Sequence, residues 1–330
     1  MAKTANVSVG TVSRVLNGQP HVSESARRKV LQAANRLRGT SGDAMRRATS
    51  TIALVYRGRS SFDSRFDGAL LHGVSEELAE SNYDLLLINV DRAQLPDETL
   101  GQMLVRKGAS GALLRTTDLT REMCFELGEQ GFPTVAMADR IDHDRVGSAY
   151  CISERSIEEG LGHLHSLGHR RFAVATNVVD DHDHSSRIET FQRFLRERGL
   201  PFHDDWFVRC PADTMGGRIA FERLMRCPSR PTAVFALDLP IAQGICLEGM
   251  RTGIHVPRDL SLLTFDDTVD RFSSHPRLSS VVQPTGLLGR RATRFLVDII
   301  DRRAVPGCLE IETTFEALDS TSAPASEAEA

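Results

Sequence analysis

The sequence predicts a small all-α head followed by a large α/β body folded as two lobes. Two observations carry that expectation: a break in charge near residue 50, and a repeated alternation of apolar runs with helical stretches. Residues 1–50 hold nine Lys/Arg against two acids, a net of +7, whereas residues 51–330 hold 31 basic and 42 acidic groups, a net of −11. A basic head on an acidic body points to a polyanionic partner for the head. Phosphate contacts would supply most of that affinity, in a salt-dependent way. Beyond residue 50, apolar runs at 51–56, 83–88, 111–114, 134–137, 171–175, 232–236 and 260–265 alternate with helical segments. Strands so separated form parallel sheets covered on both faces. Their number exceeds what one compact sheet accommodates at this length, so two Rossmann-like lobes follow. Ligands in such sheets bind beyond the carboxyl ends of the strands, here in a cleft between the lobes.

Within the head, residues 7–18 read as a short helix. Ser8 is placed to cap its N-terminus and Gly18 to end it. Val12, Val15 and Leu16 share one face at spacings of three and four and turn inward. Gly10, Thr11, Ser13, Arg14 and Asn17 occupy the opposite edge. An exposed edge of small hydrogen-bonding side chains suits a major groove, with Arg14 reaching a base; the plainer reading is a surface helix with Arg14 solvated. His21-Val22-Ser23 then leads into a second amphipathic segment, capped by Ser23. Ala26, Val30, Ala33, Ala34 and Leu37 line one side of it, and Arg27, Arg28, Lys29, Arg36 and Arg38 surround the rest.

The run from Asn6 to Gly18, with Val22-Ser23 and the Arg27 to Val30 stretch, resembles the DNA-binding head of the lactose-repressor (LacI/GalR) family of transcription regulators. The body resembles the same family at Leu167-Gly168-His169-Arg170-Arg171, Ser186-Arg187, Thr232-Ala233-Val234-Phe235-Ala236, Val256-Pro257-Arg258-Asp259-Leu260-Ser261, Phe265-Asp266-Asp267 and Gln283-Pro284. The resemblance covers nearly the whole chain. It implies a helix-turn-helix head (residues 1–39), a hinge (40–50), a two-lobed, type I periplasmic-binding-protein-like effector and dimerisation domain (51–320) and a disordered tail (321–330). In that fold the chain passes between the lobes about three times. The function implied is that of a sequence-specific DNA-binding regulator, a repressor, controlled by a small polar ligand such as a sugar or sugar derivative. Its partners would be a pseudo-palindromic operator in double-stranded DNA, the effector, and a second copy of itself. A degenerate member that has lost DNA binding and acts through protein partners is the alternative.

Residue by residue, the resemblance assigns DNA contacts to Ser8, Val9, Gly10, Thr11, Ser13, Arg14, Asn17, His21 and Ser23, and a hinge role to Met45, Arg46, Arg47 and Ala48. It assigns effector contacts to Phe62, Phe66, Asp139, Arg187, Asp238, Asp266 and Gln283. Arg187 would donate a fork of hydrogen bonds to a ligand hydroxyl or carboxylate, and Asp266 would accept from hydroxyls. Alternatively Arg187 and Asp266 only bridge the lobes, and Phe62 and Phe66 are core residues.

The chain also departs from the family pattern. Leu237-Asp238 stands where Asn-Asp is usual, Ser153-Glu154 where Asp-Asn is usual, and Leu318 replaces an arginine. Residues 1–5 offer roughly one turn of the first head helix, too short to be stable alone. The expectation is either a natural start about eight residues upstream, or a truncation that leaves Val12 and Leu16 exposed and the head poorly packed. The hinge lacks the usual proline and puts Ala48 at the position of the leucine that wedges into the minor groove. Met45 could act as the wedge instead, or the segment is a Gly/Ser linker whose arginines are drawn to phosphates.

Six cysteines (Cys124, Cys151, Cys210, Cys227, Cys246 and Cys308) form no Cys-x-x-Cys pair, which fits reduced thiols in a cytosolic protein without zinc. Asp180-Asp181-His182-Asp183-His184 reads as a solvated loop ahead of a helix rather than a metal site. The Ala/Ser/Glu-rich end, from Asp319 onward, reads as disordered and has no leucine heptads. No apolar run would span a bilayer and no export signal precedes the head, so the expected place is the cytoplasm, associated with the nucleoid. A catalytic nucleophile–base pair and a phosphate-cradling glycine loop are both missing from the sequence, so neither an enzyme nor a cofactor is expected.

Overall fold

The computed structural model describes residues 2–16, 22–23, 25–26, 29–30, 33, 51–58, 64–117, 120–178 and 182–325. In the head, a one-turn helix (Ala2–Ala5) is followed by the helix Val9–Leu16. Asn6 turns the chain between them at φ 52°, a left-handed conformation that asparagine tolerates better than most residues. The Ser8 hydroxyl accepts the Thr11 N–H at 3.1 Å, so the expected cap is formed. Ser23 likewise accepts from the Ala26 N–H at 3.3 Å. Val12, Val15, Ala5, Val30 and Ala33 close a small core, with Ala2, Val7 and Val22 at its rim. Val12 is therefore not laid bare by the short first helix, contrary to expectation: it is buried in one cluster with Ala5, Val15, Val30 and Ala33. The side chains of Ser13 and Leu16, and the whole of residues 17–21 and 34–50, lie outside the described residues.

The body contains two six-stranded sheets. The first has the order β11-β5-β4-β3-β1-β2, with β1 Thr51–Tyr56, β2 Asp84–Asn89, β3 Gly111–Arg115, β4 Thr134–Met137, β5 Gly147–Ile152 and β11 Cys308–Glu312. All its pairings are parallel. The second has the order β12-β10-β9-β8-β6-β7, with β6 Phe172–Asn177, β7 Phe207–Cys210, β8 Ala233–Ala236, β9 Ser261–Asp266, β10 Ser279–Val282 and β12 Thr314–Glu316. It is parallel except for the β10–β12 pair.

Each sheet is buried on both faces, which is why its strands read as continuous apolar runs rather than alternating ones. The period of two is nevertheless kept. Ala53 and Val55 of β1 enter one core while Ile52 and Leu54 enter the other. In β9, Leu262 packs on one side and Leu263 and Phe265 on the other. Helices Arg65–Ala79 and Thr285–Ile300 pack closely over the first sheet. A Cβ on Gly73 would lie 1.8 Å from the Gly286 carbonyl oxygen, so only glycine permits that approach.

The chain passes between the lobes at Ser153, at Gln283-Pro284 and at Thr313. The first and last passages are laced together. Ser156 hydrogen-bonds Thr313 through their hydroxyls and donates to the Ser153 carbonyl at 3.1 Å. The Thr313 N–H donates to the Ile152 carbonyl at 3.2 Å.

The C-terminal segment departs from expectation. Ser320 is fully buried, donating to the Leu262 carbonyl at 2.6 Å and accepting the Ser279 N–H at 2.8 Å. His169 Nε2 reaches the Ser322 carbonyl at 2.8 Å, and Pro324 packs on Gly168. Through Pro324 the segment is thus docked rather than disordered. Its low hydrophobicity misled because it is held by hydroxyls and main chain rather than by apolar burial; residues 326–330 lie outside the described residues.

Candidate ligand cleft and DNA-reading helix

The second lobe presents its polar groups where its strands end. Helix His182–Glu197 carries Arg187 inward, and its guanidinium stacks 3.7 Å above the centroid of Phe265 near the end of β9. Arg187 Nη1 donates to the Leu237 carbonyl at 3.2 Å, and Nη2 donates to Gln283 Oε1 at 2.5 Å. One turn earlier on the same helix, Asp183 lies 3.7 Å from Nη2. The neighbouring His184 Nε2 contacts the Asp238 carboxylate at 3.2 Å, just past β8. The run 180–184 is therefore not simply a solvated loop: Asp180 and Asp181 lie outside the described residues, but Asp183 and His184 belong to the helix's first turn and face the cleft. Their i, i+4 relation (Asp183 to Arg187) was the available signal.

Asp266 requires a correction. Strand alternation puts Asp266 on the face opposite Phe265, and so opposite Arg187. It is completely buried there, with Arg271 Nη1 at 2.8 Å, the Arg271 N–H at 3.2 Å and the Thr268 N–H at 3.0 Å. Arg271 in turn donates to Glu316 at 2.8 Å. The carboxylate that shares the face of Phe265 is the next one, Asp267, which accepts from the Thr285 hydroxyl at 3.2 Å. Burial pushes the Asp267 carboxyl up to about 6, opposed by the attraction of Arg187 and reinforced by the negative charge of Asp238. The carboxylate on which the charge of Arg187 acts is thus that of Asp267, one residue on from Asp266.

Three buried polar atoms here have no hydrogen-bond partner among the described residues: Arg187 Nε, Gln283 Nε2 and Asp139 Oδ1. An unpaired buried polar group costs about 1–3 kcal/mol. Their coincidence beyond the strand ends is what a polar ligand would relieve. Asp139 follows β4, after Ala138 at φ 63°, and is 3% exposed. Its other oxygen pairs with Arg121, while His182 Nδ1 of the second lobe stands 3.9 Å from Oδ1. Asp139 thereby faces the other lobe.

Phe66 packs on the first lobe's core under the Arg115 guanidinium, whose centre lies 4.7 Å from the ring centroid. Phe62 lies outside the described residues. The family-variant Leu237 side chain is fully buried in the apolar core beneath Arg187, so it adds no polar group to the cleft. A separate hollow of about 230 Å³ beside β2, lined by Tyr56, Leu86, Leu87, Ile88, Asn89, Arg92, Ala93 and Lys107, has no part in this cluster.

In the head, Val9 is 76% exposed, and Ser8, Gly10 and Arg14 are exposed on the same helix, with Thr11 half-buried among them. The nearest atoms to a Cβ built on Gly10 are Arg14 Nη2 and Ser8 Oγ, both 3.8 Å away. Ser13 lies within this helix and Ser23 is an exposed cap. Asn17, His21 and the hinge residues Met45, Arg46, Arg47 and Ala48 lie outside the described residues. Among the cysteines, Cys124, Cys210 and Cys246 are buried free thiols pushed up to about 12 by burial, whereas Cys308 is exposed.

Paired parallel sheets, repeatedly crossed by the chain and opening onto a polar cleft, are the architecture of a two-lobed ligand sensor; the small helical head makes this sensor a regulator. Comparison with known proteins agrees on both parts. The model for bacterial regulatory proteins of the lacI family matches residues 1–38, and that for a periplasmic binding protein-like domain matches residues 161–321. The catabolite control protein A of Priestia megaterium is 29% identical over 311 residues, 92% of each chain. The ribose operon repressor of Haemophilus influenzae is 28% identical, over 91% of this chain and 90% of its own. Among solved structures, the transcriptional regulator CelR–cellobiose complex superimposes with a TM-score of 0.71 at 27% identity, over 97% of this chain and 98% of that one. The lac repressor dimer bound to operator shares the fold at TM-score 0.71 and 20% identity. The chain belongs to the lacI family of bacterial regulatory proteins.

Proposed function

We propose that the protein is a transcriptional repressor that grips a pseudo-palindromic operator as a homodimer and is tuned by a small polyhydroxylated ligand between its lobes. The observation that carries the ligand half is the set of unpaired buried atoms on Arg187, Gln283 and Asp139. The DNA half is supported by the exposed edge of the Val9–Leu16 helix and the +7 charge of residues 1–50. Relatives include a ribose operon repressor and a cellobiose-bound regulator, which supports a sugar-like ligand. Ligand binding would shift the lobes about the passages at Ser153, Gln283-Pro284 and Thr313 and so change the spacing of the two heads. A second copy would cover the exposed apolar side chains Met215, Ile219, Leu247 and Met250. The protein would act in the cytoplasm, where its operator lies, and as a binder rather than an enzyme.

Footprinting on the DNA upstream of its own gene tests this reading. Two half-sites about one helical turn apart are expected, with affinity falling steeply as salt rises. Arg14→Ala should weaken specific binding by roughly 1–3 kcal/mol if it reads a base. Failure of the protein to retain any of this DNA at low ionic strength would overturn the reading.

A further inference from the structure

The helix Val9–Leu16 is the second of the helix-turn-helix pair, the one whose N-terminal residues reach base edges in the major groove. Ser8 and Thr11, at that end, are committed to the helix itself. Their hydroxyls bond each other at 2.8 Å, and Ser8 Oγ accepts the Thr11 N–H at 3.1 Å. Gly10 offers no side chain, and the place a Cβ would take lies 3.8 Å from Arg14 Nη2. Arg14 thus runs back toward the start of the helix, as long helical side chains do, and sets its guanidinium beside Gly10. Val9, directly before Gly10, is 76% exposed and stands outside the core cluster of Ala5, Val12, Val15, Val30 and Ala33.

A valine side chain neither donates nor accepts a hydrogen bond, so its isopropyl group reads a base edge only through apolar contact. The major groove offers one apolar feature for that, the C5 methyl of thymine. A guanidinium has its own best partner there, the O6 and N7 acceptors of guanine. Because Val9 and Gly10 are consecutive, the isopropyl group and the guanidinium beside Gly10 project to neighbouring base pairs. We propose that Val9 and Arg14 form a joint specificity element. Each operator half-site presents a guanine to Arg14 and, on a neighbouring base pair, a thymine whose methyl packs on Val9. Gly10 serves this arrangement by leaving the guanidinium its room. The proposal rests on the reading of this helix as the one that enters the groove, and it goes beyond that reading in naming the bases.

Single-group changes in the DNA decide it. The full chain selects duplexes from a random-sequence pool at low ionic strength, and the enriched half-site is then altered one base at a time. Uracil for thymine removes only the C5 methyl, and 7-deazaguanine for guanine removes the N7 acceptor. One thymine per half-site should lose about fourfold in affinity as uracil, the worth of one buried methyl. With Val9→Ala the same exchange should cost less than about twofold; alanine favours the helix, and an unchanged thermal midpoint verifies the fold. A guanine on a neighbouring base pair should lose affinity as 7-deazaguanine with the wild-type protein and none with Arg14→Ala. Uracil tolerated at every thymine overturns the proposal, as does a uracil penalty that Val9→Ala leaves intact. If the guanine effect depends on Arg14 but no thymine matters, Val9 is wrong and the helix remains the reader. Enrichment of the same sequences by a Val9→Ala, Arg14→Ala double variant overturns the reading of the helix itself, and a pool with no enriched sequence overturns both.

Discussion

Asp266 and Asp267 are neighbours at the end of one strand, yet they sit in opposite kinds of environment. On one face, Asp266 is fully buried and closed off by Arg271, Thr268 and, through Arg271, Glu316. On the other, Asp267 feels the charge of Arg187, and Arg187 and its partner Gln283 each keep a buried donor atom without a hydrogen-bond partner among the described residues. A charge cluster with its hydrogen bonds complete holds a loop in place. One left incomplete in a buried position implies something else that completes it. The comparison separates a structural ion pair from a binding site without reference to any ligand.

Adjacent substitutions should therefore have opposite effects. The largest belongs to the closed cluster. Asp266→Ala leaves Arg271 buried without its main partner and should destabilise by about 3–5 kcal/mol, read as a large fall in the thermal midpoint. A fall no greater than that of a surface variant would break the distinction.

Next comes the open cluster's guanidinium. Arg187→Ala should weaken ligand binding by about 2–3 kcal/mol, because a charged donor is lost. Operator DNA should then no longer respond to ligand, while DNA affinity without ligand is retained. The smallest effect has the reverse sign. Because the folded protein raises the Asp267 carboxyl above its unfolded value, to about 6, the folded state binds the proton better. The penalty is present in full above that value and disappears as pH falls toward the unfolded value near 4. Asp267→Asn should accordingly stabilise the free protein by about 1–3 kcal/mol near neutral pH, and by little under acid conditions. Denaturant melts of both proteins across that range check the sign, and destabilisation at neutral pH would contradict it.

Much of this fold was legible because doubly covered strands are apolar throughout. β1, β3 and β4 stand out as runs such as Thr51-Ile52-Ala53-Leu54-Val55-Tyr56. β5, with Gly147, Ser148 and Tyr150, and β10, with Ser279 and Ser280, gave no such signal. Their polar side chains are buried against main-chain groups: Ser148 accepts from the Ile141 N–H, and Ser280 donates to the Leu278 carbonyl. The candidate cleft was legible to the extent that Arg187 and Gln283 come together past the strand ends, whereas Asp266 is turned away to pair with Arg271. A one-residue shift along a strand reverses the face, and the Phe265–Asp266–Asp267 alternation was the clue that a motif match passes over. Asp183 and His184 were missed because a run of acids and histidines reads as solvent-facing until its helix register is known.

The central claim is that the incomplete cluster is a ligand site, and the most direct measurement is a crystal structure of the full chain with the tightest-binding sugar found by thermal shift. The expected density touches Arg187 Nε, Gln283 Nε2 and the Asp267 carboxylate, with the ligand enclosed between the lobes. Density elsewhere, with those atoms paired to one another or to ordered water, would contradict it.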